Sequence, residues 1–277
     1  MRLATIRADG RLEAALIEGV RVLPLADSGL TSVREIAAGG SAALDRVMAW
    51  GDRAPADAWR PLDDVEFGPA IPDPGAIYTI GLNYAPLEGP DSQRPERPLV
   101  YGKLPTSVAA DGAILTWDRA LTPNVDAECE LGVVVGPSAE VFGYTIVDDV
   151  SSRDPWLDGD QWLLGKSMAG FCPVGPWIVT ADELDPAALR LGCQVNGTPI
   201  QDGSTDQLRF GIAEILAFLN RHVPLRPGDL IATGTPARLA GPIGPDDHLW
   251  PGDVVTCWIE GIGELTTTIA LRTRRPR

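Results

Sequence analysis

The segment Asp126-Ala127-Glu128-Cys129-Glu130-Leu131-Gly132-Val133 concentrates the chemistry of this sequence. In an extended strand, residues two apart share a face, so Glu128 and Glu130 point one way and Cys129 the other. Two neighbouring carboxylates repel, and burying them unpaired is costly. A divalent cation resolves both problems, and an all-oxygen donor set selects a hard metal, Mg²⁺ or Mn²⁺, over Zn²⁺. A third carboxylate is at hand in Asp148-Asp149, which follow an apparent strand, Tyr144-Thr-Ile-Val147. The same pair also fits the solvent face of an edge strand, where it would do no chemistry. An E-x-E pattern by itself does not choose between the two readings.

The elements that must position these residues are mostly strands. Residues 2–6, 12–17 and 20–23 read as short strands, punctuated by Asp9-Gly10 and Glu18-Gly19. Ser32-Val33-Arg34-Glu35 fits a capping box opening a helix with Val33 and Ile36 inward. Gly39-Gly40 breaks that helix, and Ser41 starts a second helical stretch with Leu44, Val47 and Met48 at helical spacing. Residues 53–75 are rich in Pro and Asp and read as a linker, with a boundary near Gly68. Beyond Ile77 the chain is strands and turns: Asn196-Gly197 supplies the positive φ angles of a type I′ hairpin. Pro227-Gly228-Asp229 and Pro251-Gly252-Asp253 each feed an apolar stretch. One helix interrupts them, with Ile212, Ile215, Leu216 and Leu219 on one face and Asp206 as its expected N-cap. The class is β-rich α+β, divided as a small N-terminal α+β domain over 1–68 and a larger domain over 69–277.

Bulk properties narrow the function. A chain of 277 residues suits one large domain or two unequal ones. The formal net charge of −15 argues against nucleic acid and against anionic membrane surfaces. It leaves room for a small anionic substrate, because a bound cation inverts the local field. Cys129, Cys172, Cys193 and Cys257 form no CxxC pair, which argues against a zinc cage. The N-terminal residues lack the apolar run of a signal peptide, and no run approaches the roughly 18 apolar residues of a spanning helix. A cytoplasmic protein with reduced thiols is expected.

Several motifs coincide in order: Ile80-Gly-Leu-Asn-Tyr84, Asp126-x-Glu128-x-Glu130, Asp149-Val-Ser-Ser-Arg-Asp154, Gln161-Trp162, Gly165-Lys-Ser167 and Gly175-Pro-Trp177. They continue with Val195-Asn-Gly197, Pro227-Gly-Asp229, Ala232-Thr-Gly-Thr-Pro236 and Glu260-Gly-Ile-Gly263. Together, over about residues 69–270, this set closely resembles the fumarylacetoacetate hydrolase family, including bacterial two-domain members such as acylpyruvate hydrolases, oxaloacetate decarboxylases and hydroxymuconate isomerases. The resemblance implies a mixed β-roll catalytic domain, usually in a homodimer. It also implies a divalent metal, Mg²⁺ or Mn²⁺, held by Glu128, Glu130 and Asp149. Members cleave, decarboxylate, dehydrate or isomerise 2-oxo acids and β-diketones, the metal chelating adjacent oxygens and stabilising an enolate. Lys166 matches a lysine near the metal that meets substrate oxygen or water, and Arg153 and Gln161 match polar residues of the same pocket. Arg153 could equally be structural, paired with Asp148 or Asp154. Thr233, Gly234 and Thr235 match a loop able to hold a substrate carboxylate, although Gly234 and Pro236 also suit a plain turn. Tyr84 is taken with them as a substrate contact.

The sequence also departs from the family. Family hydrolases place a histidine after Asn-Tyr with two residues between, commonly oriented by a glutamate, as general base for water. Leu87 stands there instead, and leucine moves no proton. The following residues, 88–96, are Pro-rich where relatives form a lid helix, and Pro86 and Pro90 disfavour one. His222 closes the Ile212–Leu219 helix and reads as a dipole partner. His248 lies in a loop able to reach the site, and Arg238, where relatives commonly have glycine, suits either a substrate anion or solvent. Trp156, Trp162 and Trp250 suit core packing or an aromatic pocket. These departures favour an isomerase, tautomerase or decarboxylase of a small oxo acid. A C–C bond hydrolase and a catalytically silent oxo-acid binder are the alternatives.

Overall fold

The computed structural model describes residues 1–85, 94–239 and 247–271. Leu87, and with it the Pro86 and Pro90 reading, lies outside the described residues. The molecule is β-rich, with a helix at Val33–Gly51, two one-turn helices at Pro155–Gly159 and Trp162–Lys166, and a helix at Ile212–His222.

A large mixed sheet carries the architecture. Its main path runs through Arg60–Pro61, Arg21–Pro24, Arg11–Glu18, Arg2–Ala8, Cys172–Thr180, Val141–Asp148, Cys129–Val135, Leu230–Ala232, Ile77–Gly81 and Leu99–Lys103. The pairings are antiparallel except between Leu230–Ala232 and Ile77–Gly81. A five-stranded sheet contains Arg190–Val195, Thr198–Ser204, Val254–Ile259, Gly263–Ile269 and Ile114–Leu115. A short ladder pairs Val125–Asp126 with Ser151–Ser152.

The sequence accounts for these elements locally. Cys129–Val135 is buried along its whole length, and its β-branched run suits a strand packed on both faces. Leu131, Val133 and Val135 join the core shared with the five-stranded sheet, while Val134 joins the core under the Val33–Gly51 helix. Asn196 and Gly197 take φ of 54° and 78°, as the type I′ turn requires, and join paired strands. Ser32 caps its helix by accepting from the Glu35 amide, and Gly40 kinks it with φ 55° and ψ −141°. Val33, Ile36 and Val47 are buried, but Met48 is exposed.

Two expectations are corrected. Asp206 is not the N-cap of the Ile212–His222 helix. It lies in a separate turn, Thr205–Gln207, closed by a Ser204/Gln207 capping box, and Gly211 occupies the cap. The Pro- and Asp-rich residues are more than a linker: Arg60–Pro61 pairs with Arg21–Val22, and Glu66–Phe67 pairs with Ile6–Arg7. The N-terminal strands continue the large sheet through Arg2↔Val179 and Leu3↔Ile178.

Candidate active site

Alternation through the acidic segment builds the site. Asp126, Glu128 and Glu130 line a cavity of about 570 Å³, while Ala127 and Cys129 between them are fully buried in the core. The Val141–Asp148 strand pairs beside this segment and delivers Asp149 at its end. The Asp149 amide donates to the Glu128 carbonyl at 2.9 Å, and Asp148 Oδ1 accepts from the Glu128 amide at 3.0 Å. Oxygens of Glu128, Glu130 and Asp149 thereby come within 4.8 Å of one another. The edge-strand alternative is excluded for Glu130, which is 3% exposed.

Each carboxylate has a designated support. Glu130 Oε2 accepts from the Gly234 amide at 2.7 Å. Gly234 has φ 103°, and a Cβ there would lie 2.8 Å from Asn83 Cβ, so this position needs glycine. Asn83 locks the loop from behind, donating to the carbonyls of Phe210 and Thr233 and accepting from the Phe210 amide. Asp149 accepts from Lys103 at 2.5 Å and from Lys166 at 2.6 Å. Lys166 also donates to Glu128 at 3.1 Å and to Ser151 at 2.6 Å. Arg153 pairs with Glu128 and with Asp126, and lies 3.8 Å from Asp158. The partners expected for Arg153, Asp148 and Asp154, are therefore not its partners. They sit elsewhere because the Val125–Asp126 ladder brings Arg153 opposite the acidic row, its amide on Asn124.

The charges bias one another strongly. Burial, followed by the nearby Asp149 and Glu128, pushes Glu130 well above the usual carboxylate range. Burial alone would raise Glu128 as well, but Arg153 and Lys166 hold it well below that range. Burial opposes the charge of Lys166, yet Asp149 and Glu128 raise its pKa above that of an ordinary lysine. Burial lifts Asp126 to about 6 against the pull of Arg153 and Arg238.

The other expected residues divide. Tyr84, Thr235 and Arg238 line the cavity. Thr233 and Gly234 do not: both the amide and hydroxyl of Thr233 donate to the Leu131 carbonyl, so the residue stitches strands together. Gln161 ends outside the cavity, at the start of the Trp162–Lys166 helix, with its carbonyl accepting from Leu164 and Gly165. His248 does not line it either, although burial and the neighbouring Arg153 and Arg238 lower its pKa. His222 bonds the Phe218 carbonyl through Nδ1 at 2.8 Å, a helix-end role. Core packing is not the role of Trp156 and Trp250, which are exposed, while Trp162 lines the cavity stacked 4.2 Å from Tyr101.

Sequence reasoning missed Lys103, Tyr101, Gln201 and Arg209. Lys103 is a fully buried lysine, visible in sequence only as a charge ending the apolar run Leu99-Val-Tyr-Gly. Gln201 joins three elements: its amide nitrogen donates to Thr235 Oγ1 and the Pro236 carbonyl, and its oxygen accepts from the Cys129 amide. No local signal marks it.

Residues 76–270 match the family model for the fumarylacetoacetate (FAA) hydrolase C-terminal region. The chain belongs to the fumarylacetoacetate hydrolase family. An uncharacterized protein of Staphylococcus aureus (strain USA300) is 36% identical over 236 residues, 81% of this chain and 79% of that protein. The structure of a fumarylacetoacetate hydrolase from the psychrophile Exiguobacterium antarcticum is 30% identical with a TM-score of 0.84, covering 98% of this chain and all of that one. A 5-carboxymethyl-2-hydroxymuconate delta-isomerase from Mycobacterium smegmatis is 28% identical, TM-score 0.76, with the same coverage. This family therefore includes isomerases and hydrolases, and the acidic triad of this member has the donor set for a divalent metal. Among the described residues no helix is long and apolar enough to cross a membrane.

Proposed function

We propose that this protein is a Mg²⁺- or Mn²⁺-dependent enzyme acting on a small 2-oxo acid or β-diketone, favouring isomerisation, tautomerisation or decarboxylation. The convergence of Glu128, Glu130 and Asp149 on one cavity carries the reading. The donor set fits a hard cation: three carboxylate oxygens, no thiol or imidazole, and a Glu130 raised by burial and then by the like-charged Asp149 and Glu128. A divalent cation there supplies Lewis-acid polarisation of adjacent substrate oxygens and favours enolate-like charge.

The chain's own groups complete the chemistry. Lys166, kept charged by Asp149 and Glu128, holds its protons and acts as a donor to developing negative charge rather than as a base. Arg153 is a second fixed cation, its pKa raised by Glu128. Burial keeps the Tyr84 phenol neutral, so it can donate a hydrogen bond into the cavity it lines. Stacked Tyr101 and Trp162 give that cavity an aromatic wall. Thr235, which also lines the cavity, is fixed by donating to the Cys129 carbonyl and accepting from Gln201. We place residues 1–68 as a small N-terminal domain and expect a cytoplasmic homodimer, with light scattering as the test of assembly.

C–C bond hydrolysis is the second reading, favoured by the similarity to the Exiguobacterium hydrolase. Leu87 argues against it, since the histidine that would activate water is replaced. Turnover of an oxo-acid and acylpyruvate panel, with and without metal, separates the readings. Metal-dependent enolisation or decarboxylation faster than acylpyruvate hydrolysis supports the proposal. Hydrolysis at roughly 1–10³ per second, undiminished in His248→Ala, would establish the hydrolase instead. Metal-dependent oxo-acid binding without turnover identifies a silent binder.

A further inference from the structure

The acidic strand outruns its neighbour where its carboxylates begin. Leu230–Ala232 pairs with Gly132–Val134, and the Thr233 amide takes the Leu131 carbonyl. Cys129, two residues before Leu131, turns its own amide and carbonyl toward the same edge, beyond the end of that pairing. Side chains stand in for the strand there. Gln201 Oε1 accepts from the Cys129 amide at 3.0 Å, and Thr235 Oγ1 donates to the Cys129 carbonyl at 2.8 Å. The two are themselves tied, because Gln201 Nε2 donates to Thr235 Oγ1 and to the Pro236 carbonyl, each at 2.7 Å. Both ends of the Gln201 amide are thus in use. Its orientation follows from its partners, since a backbone N–H needs the oxygen and a proline carbonyl needs the nitrogen.

Several local features deliver this one side chain. Gln201 pairs with Cys193 while Pro199 pairs with Gln194, so Ile200 is left over as a bulge, a device that re-aims a neighbouring side chain. Gln201 is 2% exposed, although Ile200 and Asp202 beside it are only half-buried. Its backbone bridges to Arg238, and the Leu239 amide donates to the Ile200 carbonyl, which docks residues 233–239 on the same strand. Gly203 leaves room for Pro236, because a Cβ there would lie 2.7 Å from Pro236 Cγ. The residue so held, Cys129, sits between Glu128 and Glu130, and the Gly234 amide of the same loop fixes Glu130 Oε2.

We propose that Gln201 is a positioning residue of the metal centre. By clamping the Cys129 peptide to the Thr235-Pro236 turn, it sets how Glu128 and Glu130 stand relative to each other, and so the affinity and symmetry of the divalent site. This rests on the reading of the triad as a metal centre. The three hydrogen bonds of the Gln201 side chain go to the Cys129 amide, the Thr235 hydroxyl and the Pro236 carbonyl, so it acts through the backbone between the carboxylates.

The test is calorimetric titration of Mn²⁺ into metal-free protein without substrate, so that any contact of Gln201 with substrate in the cavity it lines drops out. Gln201→Met, close in length but without either polar atom, should bind Mn²⁺ roughly 10- to 100-fold more weakly, the range for groups that orient metal ligands. The electron paramagnetic resonance spectrum of the bound Mn²⁺ should broaden as the ligand set loses symmetry. Thr235→Val removes the other half of the clamp, and the same result is read from it should Gln201→Met not fold. The double variant should lose little more than the worse single one, because one clamp is broken only once. Thr205→Val is the structural control. It gives up buried bonds to the Leu189 amide and the Pro186 carbonyl, neither in the acidic segment, and should keep Mn²⁺ affinity within about twofold of wild type. Wild-type affinity or an unchanged spectrum in the clamp variants overturns the Gln201 assignment and leaves the metal-centre reading standing. So do losses that multiply in the double variant, or an equal loss in Thr205→Val. A wild type that binds no Mn²⁺ overturns both.

Discussion

Ala4, Ile6, Ala15, Ile17 and Val22 close an apolar cluster among the N-terminal strands, whereas the cavity wall and the layer behind it pack Lys103, Asp126, Glu130, Asp148, Asp149 and Lys166 at 6% exposure or less. The first region is held by surface removed from water and tolerates exchange among apolar side chains of similar volume. The second is held by mutual compensation, since each buried charge is affordable only while its partners remain. Asp149 shows this most clearly: it answers both Lys103 and Lys166, so one carboxylate keeps two buried ammoniums in place. The contrast teaches that the N-terminal strands contribute stability through burial, while the acidic row persists only as a mutually compensated network.

The comparison breaks most visibly at the triad. Asp149→Ala should weaken Mn²⁺ binding by more than about 100-fold, since it deletes a proposed ligand and strands two lysines; calorimetry at wild-type affinity would remove Asp149 from the centre. The same variant should be destabilised by roughly 3–5 kcal/mol as a broken buried ion network, read in urea melts. Ile36→Ala, under the large sheet, should cost a similar 2–5 kcal/mol yet leave Mn²⁺ affinity within about twofold of wild type. A large loss of metal binding there would mean that the two regions are energetically one.

Proton linkage sharpens the contrast further. Glu130 is raised by burial and by Asp149 and Glu128, and a ligand must be ionised, so metal loading should release a proton. Affinity should rise as pH rises, by about tenfold per unit while Glu130 stays protonated in the metal-free protein, and flatten above its pKa. Titrations in buffers of different ionisation enthalpy count the protons, and none released would contradict the placement of Glu130. The smallest effect is expected at the helix start, where Ser32→Ala should cost about 1 kcal/mol by freeing the Glu35 amide, with no change in metal binding.

The sequence by itself determined whatever depends on local periodicity and turn chemistry. The two-residue spacing of Glu128 and Glu130 dictated a shared face, Asn196-Gly197 dictated a hairpin, and the run Tyr144–Val147 dictated the strand that ends at Asp149. Ordered motifs across the chain were enough to indicate the family, because their spacing constrains the same strands. Tertiary structure alone decided which charges meet. Lys103 and Asp149 are 46 residues apart, Asp126 and Arg238 are 112 apart, and Glu130 meets the Gly234 amide across 104 residues. No pattern within a strand encodes such pairings, since they depend on sheet order and on how the loop after Leu230–Ala232 folds over the acidic row. For the same reason Thr233 and Gly234 became scaffolding. The Thr233 donors reach the Leu131 carbonyl of the strand beneath, and the Gly234 amide is taken by the Glu130 carboxylate, since a buried amide takes the nearest acceptor that spares it an unmade hydrogen bond.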